Sequence, residues 1–343
     1  MSRQTPLSSA DKAKESPRLP SIPMAAAECA PFAKTGGLAD VVGTLSRELK
    51  DLGFDIRLMV PYHRVIKDKY RDAVKHVVSF SVDLGWRSQY AGIELLDWDG
   101  LPVYFIDNEY YFGHAIYRGG SFEGEQYAYF SRVILEALPL IGFEPDIIHV
   151  NDWHTAMVPM LQKTQYGGKP QSQAKTVLSI HSLGYQGRFD FNFAADLLSI
   201  EGKYYSPDYL EFYGGANFMK GGIVFADKIV TVSPTYAEEI CTPQYGEGLD
   251  GVLRIRRDDL IGILNGIDTE VYNPADDEYI PHPYSADDLS GKQRDKEALI
   301  KELGIRIKPD TPLIGMVSRL TRQKGLDLLL AVFDELMKED VGL

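Results

Sequence analysis

Residues 34–60, KTGGLADVVGTLSRELKDLGFDIRLMV, decide the fold class. Leu38, Val41, Val42, Leu45, Leu49 and Leu52 recur at spacings of three and four, which predicts an amphipathic helix over residues 38–52. Gly53 supplies its stop, and residues 56–60 follow as a short apolar strand. A glycine pair, a helix and a buried-type strand in that order belong to a βαβ unit, and hence to a parallel sheet with helices on its faces.

The same alternation continues outward from about residue 24. Strands are predicted at residues 103–106, 146–150, 176–181, 229–232 and 261–264, and helices at 125–140, 155–163, 218–225 and 234–240. Residues 1–23, rich in Ser, Pro and charge, read as a disordered tail, and Pro20 and Pro23 argue against a central strand over 19–24. Residues 24–261 then form one complete Rossmann-like domain. Residues 262–343 form a linker and the beginning of a second, with a helix near 292–303, a strand at 313–317 and a helix at 326–337.

Composition narrows the function. The 343 residues carry 36 Lys+Arg against 49 Asp+Glu, a formal net charge of −13, so a surface built to neutralise nucleic-acid phosphates is excluded as the default. No apolar run is long enough to span a bilayer and no signal peptide is visible, so no membrane partner and a cytoplasmic location are expected. Cys29 and Cys241 have neither disulfide-framework nor zinc-ligand spacing.

Three motifs follow predicted strands or precede predicted helices. In Lys34-Thr35-Gly36-Gly37 the glycines allow close backbone approach and the next helix offers its amino end to an anion; a plain turn is the alternative. His149-Val150-Asn151-Asp152-Trp153-His154 sets polar and aromatic groups together at a strand end, which suits a sugar; alternatively Asp152 caps the next helix and Trp153 packs beneath it. His181 ends an apolar strand, where it can bond a substrate hydroxyl, serve as acid or base, or be structural. Gly246-Glu247-Gly248-Leu249-Asp250-Gly251 fits a dinucleotide fingerprint in form, but no strand leads into it, so it reads as a mobile loop bordering the cleft. Arg319, Arg322 and Lys324 concentrate positive charge after the strand predicted at 313–317, where a diphosphate would sit or a solvated turn would suffice.

The strings AECAPFAKTGGLADVVG (27–43), HVNDWHT (149–155), NFMKGGIVFADKIVTVSPTYAEEI (217–240), GILNGID (262–268) and MVSRLTRQKGLDLL (316–329) resemble the bacterial glycogen synthases and plastid starch synthases. That resemblance implies a GT-B fold of two Rossmann-like domains and a retaining transfer of glucose from ADP-glucose to the non-reducing 4-hydroxyl of an α-1,4-glucan such as glycogen. It implies that Lys34, Gly36, Gly37 and Asn265 contact the sugar nucleotide, that His181 bonds the transferred glucose near its 6-hydroxyl, and that Arg319 and Lys324 neutralise the departing diphosphate. Asp152 and Trp153 fall on the glucose and acceptor side. No cofactor and no metal are implied.

The chain departs from the family pattern at Ser182, usually Asn, at Tyr272, usually Trp, and before Ala25, where the family has an apolar first strand. The remaining family segment that carries the nucleotide-base contacts is not seen, so a truncated chain, inactive alone, is expected. A non-catalytic glucan-binding fragment and a UDP-glucose-dependent transferase are the alternatives.

Overall fold

The computed structural model describes residues 18–320 and 324–343. The chain divides into two compact units, residues 1–266 and 267–343, so strand and loop up to Gly266 go with the first unit and not with the second.

The first unit begins with β1 (Ser21–Ala25), α1 (Gly37–Asp51), β2 (Asp55–Pro61) and α2 (Arg64–Tyr70). A hairpin of β3 (Lys75–Leu84) and β4 (Arg87–Trp98) leads to β5 (Leu101–Asp107), the short α3 (Glu109–Phe112) and the long α4 (Gly120–Leu140). Then come β6 (Ile147–Asn151), α5 (Met157–Gln165), β7 (Lys175–Ile180), β8 (Arg188–Phe189) and α6 (Phe191–Leu198). The unit closes with β9 (Glu211–Phe212), β10 (Gly215–Asn217), α7 (Phe218–Phe225), β11 (Lys228–Thr231), α8 (Pro234–Glu239), α9 (Asp250–Ile255) and β12 (Leu260–Gly262).

Among the described residues these strands form a nine-stranded sheet in the order β12-β11-β7-β6-β1-β2-β5-β4-β3, with β8, β10 and β9 in a small second sheet. All pairings of the large sheet are parallel except those of β4 with β3 and β5. Successive residues of each inner strand feed opposite cores, as a sheet covered on both faces requires. Leu58 and Val60 of β2 pack with Leu38, Val42 and Ile66 on one side, whereas Met59 joins Tyr127, Phe130 and Ile134 on the other.

Two expectations fail here. Residues 21–23, assigned from sequence to the tail, are fully within β1, a central strand despite Pro23. Alternate amides of a strand share a side, so Pro23 lacks its N–H on the side where Ser21 points, toward β6. There the ladder with β6 begins only at Met24, opposite His149, and the Asp146 carboxylate instead takes the Ser21 N–H (2.7 Å) and hydroxyl (2.8 Å). The Asp146 N–H also donates to the Ser21 carbonyl at 2.9 Å, so the missing donor falls in the gap between that bond and the pairing of Met24. In the second unit, α10 (Ser290–Leu303) and α11 (Leu326–Leu336) match the predicted helices, but residues 313–317 form no strand. Leu313 makes one isolated bridge to Gly342; an apolar run extends as a strand only with a partner strand beside it. No helix among the described residues is long and apolar enough to cross a membrane.

Helix α1 is seated against the loop before it at Gly43, where a Cβ would lie 2.3 Å from the Ala30 carbonyl oxygen. Gly43→Ala should therefore destabilise the chain by about 1–3 kcal/mol, overpacking outweighing the gain of about 1 kcal/mol in helix propensity. A urea midpoint at or above the parent value would contradict that seating.

Two fully enclosed histidines lie behind the carboxyl end of the sheet. Burial pushes the imidazoles of His63 and His154 down from 6.5 to about 4 and about 3, respectively; a hydrogen bond to the Ala27 carbonyl pulls His63 the other way, while His63 further disfavours charge on His154. Both are neutral when folded and free to protonate when unfolded. Their contribution to stability is complete above pH 6.5 and is lost as pH falls toward 4 and then 3. Unfolding at about pH 5 should accordingly take up close to two protons through this pair, adding a slope of up to ~2.7 kcal/mol per pH unit. In His154→Gln about half of that slope should vanish from urea midpoints measured between roughly pH 6 and 4.5; an identical slope would mean that folded His154 takes up the proton.

Candidate active site

The chain steps from β1 to β2 on one side of β1 and later places β6 on the other, so strand order reverses between β1 and β6. Ligands of open parallel sheets bind outside the strand carboxyl ends at such a point. The segments that leave β1, β6 and β7 there contain Lys34-Thr35-Gly36-Gly37, Asp152-Trp153 and His181.

After β1 the backbone turns through the segment that ends in Gly36, the residue preceding α1, whose first turn receives no side-chain cap. The buried Glu28 carboxylate accepts the Thr35 N–H at 2.6 Å and so fixes the loop. Lys34 pairs with Asp40 of the first helical turn at 2.7 Å. Gly36 has an extended backbone, and a Cβ on Gly37 would meet nothing within 4 Å. Neither protein packing nor a left-handed backbone demands this glycine pair, and the space beside Gly37 is open.

The end of β6 is built more tightly. Asp152 adopts φ +54°, a left-handed conformation that Asp tolerates better than most residues. Its Oδ1 accepts the backbone N–H of His181 at 2.7 Å and, more weakly, that of Ser182 at 3.4 Å. Burial pushes the Asp152 carboxyl upward, while His181 and the two amide donors pull the other way. Asp152 thus caps no helix; it fastens the loop after β7 to the end of β6. The His181 ring reaches back to Asn151, with Nε2 3.0 Å from the amide Oδ1. Deeper along these strands His149 meets the Ser179 hydroxyl at 2.7 Å.

Trp153 is 5% exposed and stands edge-on to Tyr127, with Phe189 and His154 also against it. Gly187, at φ +63°, lies over it so closely that a Cβ would fall 2.3 Å from the indole. The open ring face that sugar stacking needs is covered, and the packing alternative describes this residue. Trp153 still contributes to the wall of a cavity of about 430 Å³ lined also by Glu123, Tyr185, Gln186, Arg188 and Glu247. The glycine-rich segment 246–251 borders that cavity and is tied down, since the Glu247 carbonyl accepts from Gln186 at 3.1 Å and from Arg188 at 3.2 Å.

The remaining predicted residues belong to other segments of the chain. Asn265 is exposed in the loop after β12, at the end of the sheet away from β1. Arg319 and Lys324 are exposed in the second unit, and Arg322, with Thr321 and Gln323, lies outside the described residues. Sequence reasoning passed over Glu28 and Asn151, which sit within quoted motifs, and Gln186 and Arg188, which follow His181 by five and seven positions. It also passed over Tyr117, whose half-buried phenol lies beside Thr35 and feels the charges of Glu28 and Asp152. Among the described residues no group of three or more His, Cys, Asp or Glu side chains could hold a metal ion, and both cysteines are buried and free.

Comparison with known proteins gives this geometry a family. Residues 21–255 match the family described as starch synthase catalytic domain. The glycogen synthase of Geobacillus stearothermophilus is 51% identical over 320 residues, 93% of this chain and 66% of the relative. That of Bacillus anthracis is 49% identical over 321 residues, 93% of this chain and 67% of the relative. Among solved structures, the catalytic domain of starch synthase IV from Arabidopsis thaliana, bound to ADP and acarbose, superposes with a TM-score of 0.84 at 32% identity, covering 93% of this chain and 66% of that one. The chain thus spans about two thirds of the length of these relatives. With its β1-to-α1 glycine loop and its Asp152–His181 clamp at the strand-order reversal, the chain belongs to the starch synthase catalytic domain family.

Proposed function

We propose that this protein is an ADP-glucose-dependent glycogen synthase, transferring glucose with retention to the non-reducing 4-hydroxyl of an α-1,4-glucan in the cytoplasm. The observation that carries the proposal is the meeting of an open, uncapped glycine loop and a clamped histidine at the ends of β1 and β7, on either side of β6. The neighbouring starch synthase, bound to ADP and acarbose, supports a nucleotide donor and an α-glucan acceptor for this chain.

In this proposal Lys34, Gly36 and Gly37 meet the sugar nucleotide, the open side of Gly37 giving a ligand close access to backbone N–H groups at the start of α1. His181 bonds a hydroxyl of the transferred glucose. Asp152 serves on the glucose side by holding the His181 backbone, and Trp153 supports the wall of the acceptor-side cavity. Asn265 contributes to the donor contact. Arg319 and Lys324 stabilise the diphosphate as negative charge grows on it during departure, an interaction stronger in the transition state than before it.

Incubating the native gene product with labelled ADP-glucose and glycogen should lengthen α-1,4-linked chains, with UDP-glucose a poor donor. No transfer from either nucleotide would overturn the proposal, and preference for UDP-glucose would overturn its donor. Lys324→Ala in the same protein should lower kcat by about 10²–10³-fold, the usual loss for one transition-state donor, with donor KM moving far less. Equal kcat in the two proteins would remove Lys324 from leaving-group stabilisation.

A further inference from the structure

Asn151, at the end of β6, lies between the ends of β1 and β7 and uses both atoms of its amide. Nδ2 donates to the Ala25 carbonyl at 3.1 Å, and Oδ1 lies 3.0 Å from Nε2 of His181. A backbone carbonyl only accepts, so the amide nitrogen must face Ala25 and its oxygen must face the histidine. That oxygen also only accepts, so His181 must carry its proton on Nε2. The amide has little freedom to turn round: Asn151 is 2% exposed, and its own backbone N–H and carbonyl are both held by the Thr155 hydroxyl at 2.7 and 2.8 Å. Among the described residues Nδ1 of the half-buried His181 ring has no hydrogen-bond partner.

We infer that Asn151 is a positioning residue that fixes His181 as the Nε2-protonated tautomer and presents Nδ1 as an acceptor to a ligand hydroxyl. This deepens the proposed function, on which that hydroxyl belongs to the transferred glucose. The direction of the bond follows: the sugar hydroxyl donates and the imidazole accepts. The selectivity is for a group with an O–H, since an ether or fluorine at the same position has no proton to give. Across the sheet the connection passes from the Ala25 carbonyl through the Asn151 amide to the ring, so β1 acts on the histidine's tautomer through Asn151.

Nitrogen NMR of the chain, labelled with ¹⁵N in its histidine rings and read at a pH where His181 is neutral, tests the inference. His181→Gln identifies the signals by their loss. One protonated-type resonance at Nε2 and one unprotonated-type resonance at Nδ1 are expected for the parent chain. Asn151→Ala should convert this single pattern into a mixture of the two tautomers, whereas Asn151→Asp, which keeps an acceptor facing the ring, should restore Nε2 protonation. A proton on Nδ1 in the parent chain would overturn the inference whatever the variants do. An unchanged pattern in folded Asn151→Ala would overturn the role of Asn151. None of these measurements involves glucosyl transfer, so their failure is distinct from failure of the transferase assignment, which turnover alone decides.

Discussion

The carboxylate of Asp152 is the constraint on which the site rests. It is buried and held on a left-handed backbone, a conformation that for a residue with a side chain costs on the order of 1–3 kcal/mol. Desolvation opposes its charge and pushes its pKa above the usual carboxylate value. What offsets both is a pair of backbone donors, His181 at 2.7 Å and, more weakly, Ser182 at 3.4 Å. Through them one side chain fixes where the chain leaves β7. With that exit point set, the His181 ring can reach Asn151, and the loop behind it can carry Gln186 and Arg188 to the cavity wall.

The parallel core was legible because its strands are apolar runs buried on both faces and its helices repeat at spacings of three and four; α7 was read to its last residue. The hairpin β3–β4 was invisible to that reading. Its outer face is solvent-exposed, with Trp86 and Tyr90 standing out, and its pattern mixes His, Ser and Asp with apolar residues at half the positions. β1 was hidden for the opposite reason, since proline normally vetoes a central strand, whereas here Asp146 anchors the strand through Ser21, two residues before Pro23. A partner 125 residues away in sequence cannot be found from local pattern.

The site was legible as motifs but not as geometry. His181 and Asp152 were singled out as separate groups near a ligand, whereas one holds the other's backbone. Asn151 stood unnoticed between His149 and Asp152 because its role depends on orientation: an amide matters here only through which end faces Ala25. Trp153 was left between a sugar-facing ring and a packed one, and what decides for packing is Gly187, a residue 34 positions later that brings backbone over the ring.

The charges around the strand-order reversal explain why a donor of the proposed kind needs more than the first unit. Glu28 and Asp152 are buried carboxylates, Lys34 pairs with Asp40, and Arg188 donates to the neutral Gln186 side chain and Glu247 carbonyl. Such a surface can order hydroxyls through amides, an imidazole and carboxylates, and it can offer the start of α1 to one phosphate. A departing diphosphate also requires fixed positive charge, which buried carboxylates oppose in low-dielectric surroundings. On the proposed function, that charge comes from the segment holding Arg319 and Lys324, which belongs to a separate compact unit. Holding the sugar and stabilising the leaving group are then tasks of different units, so a donor bound by the first alone gains orientation without the electrostatic help that speeds its cleavage.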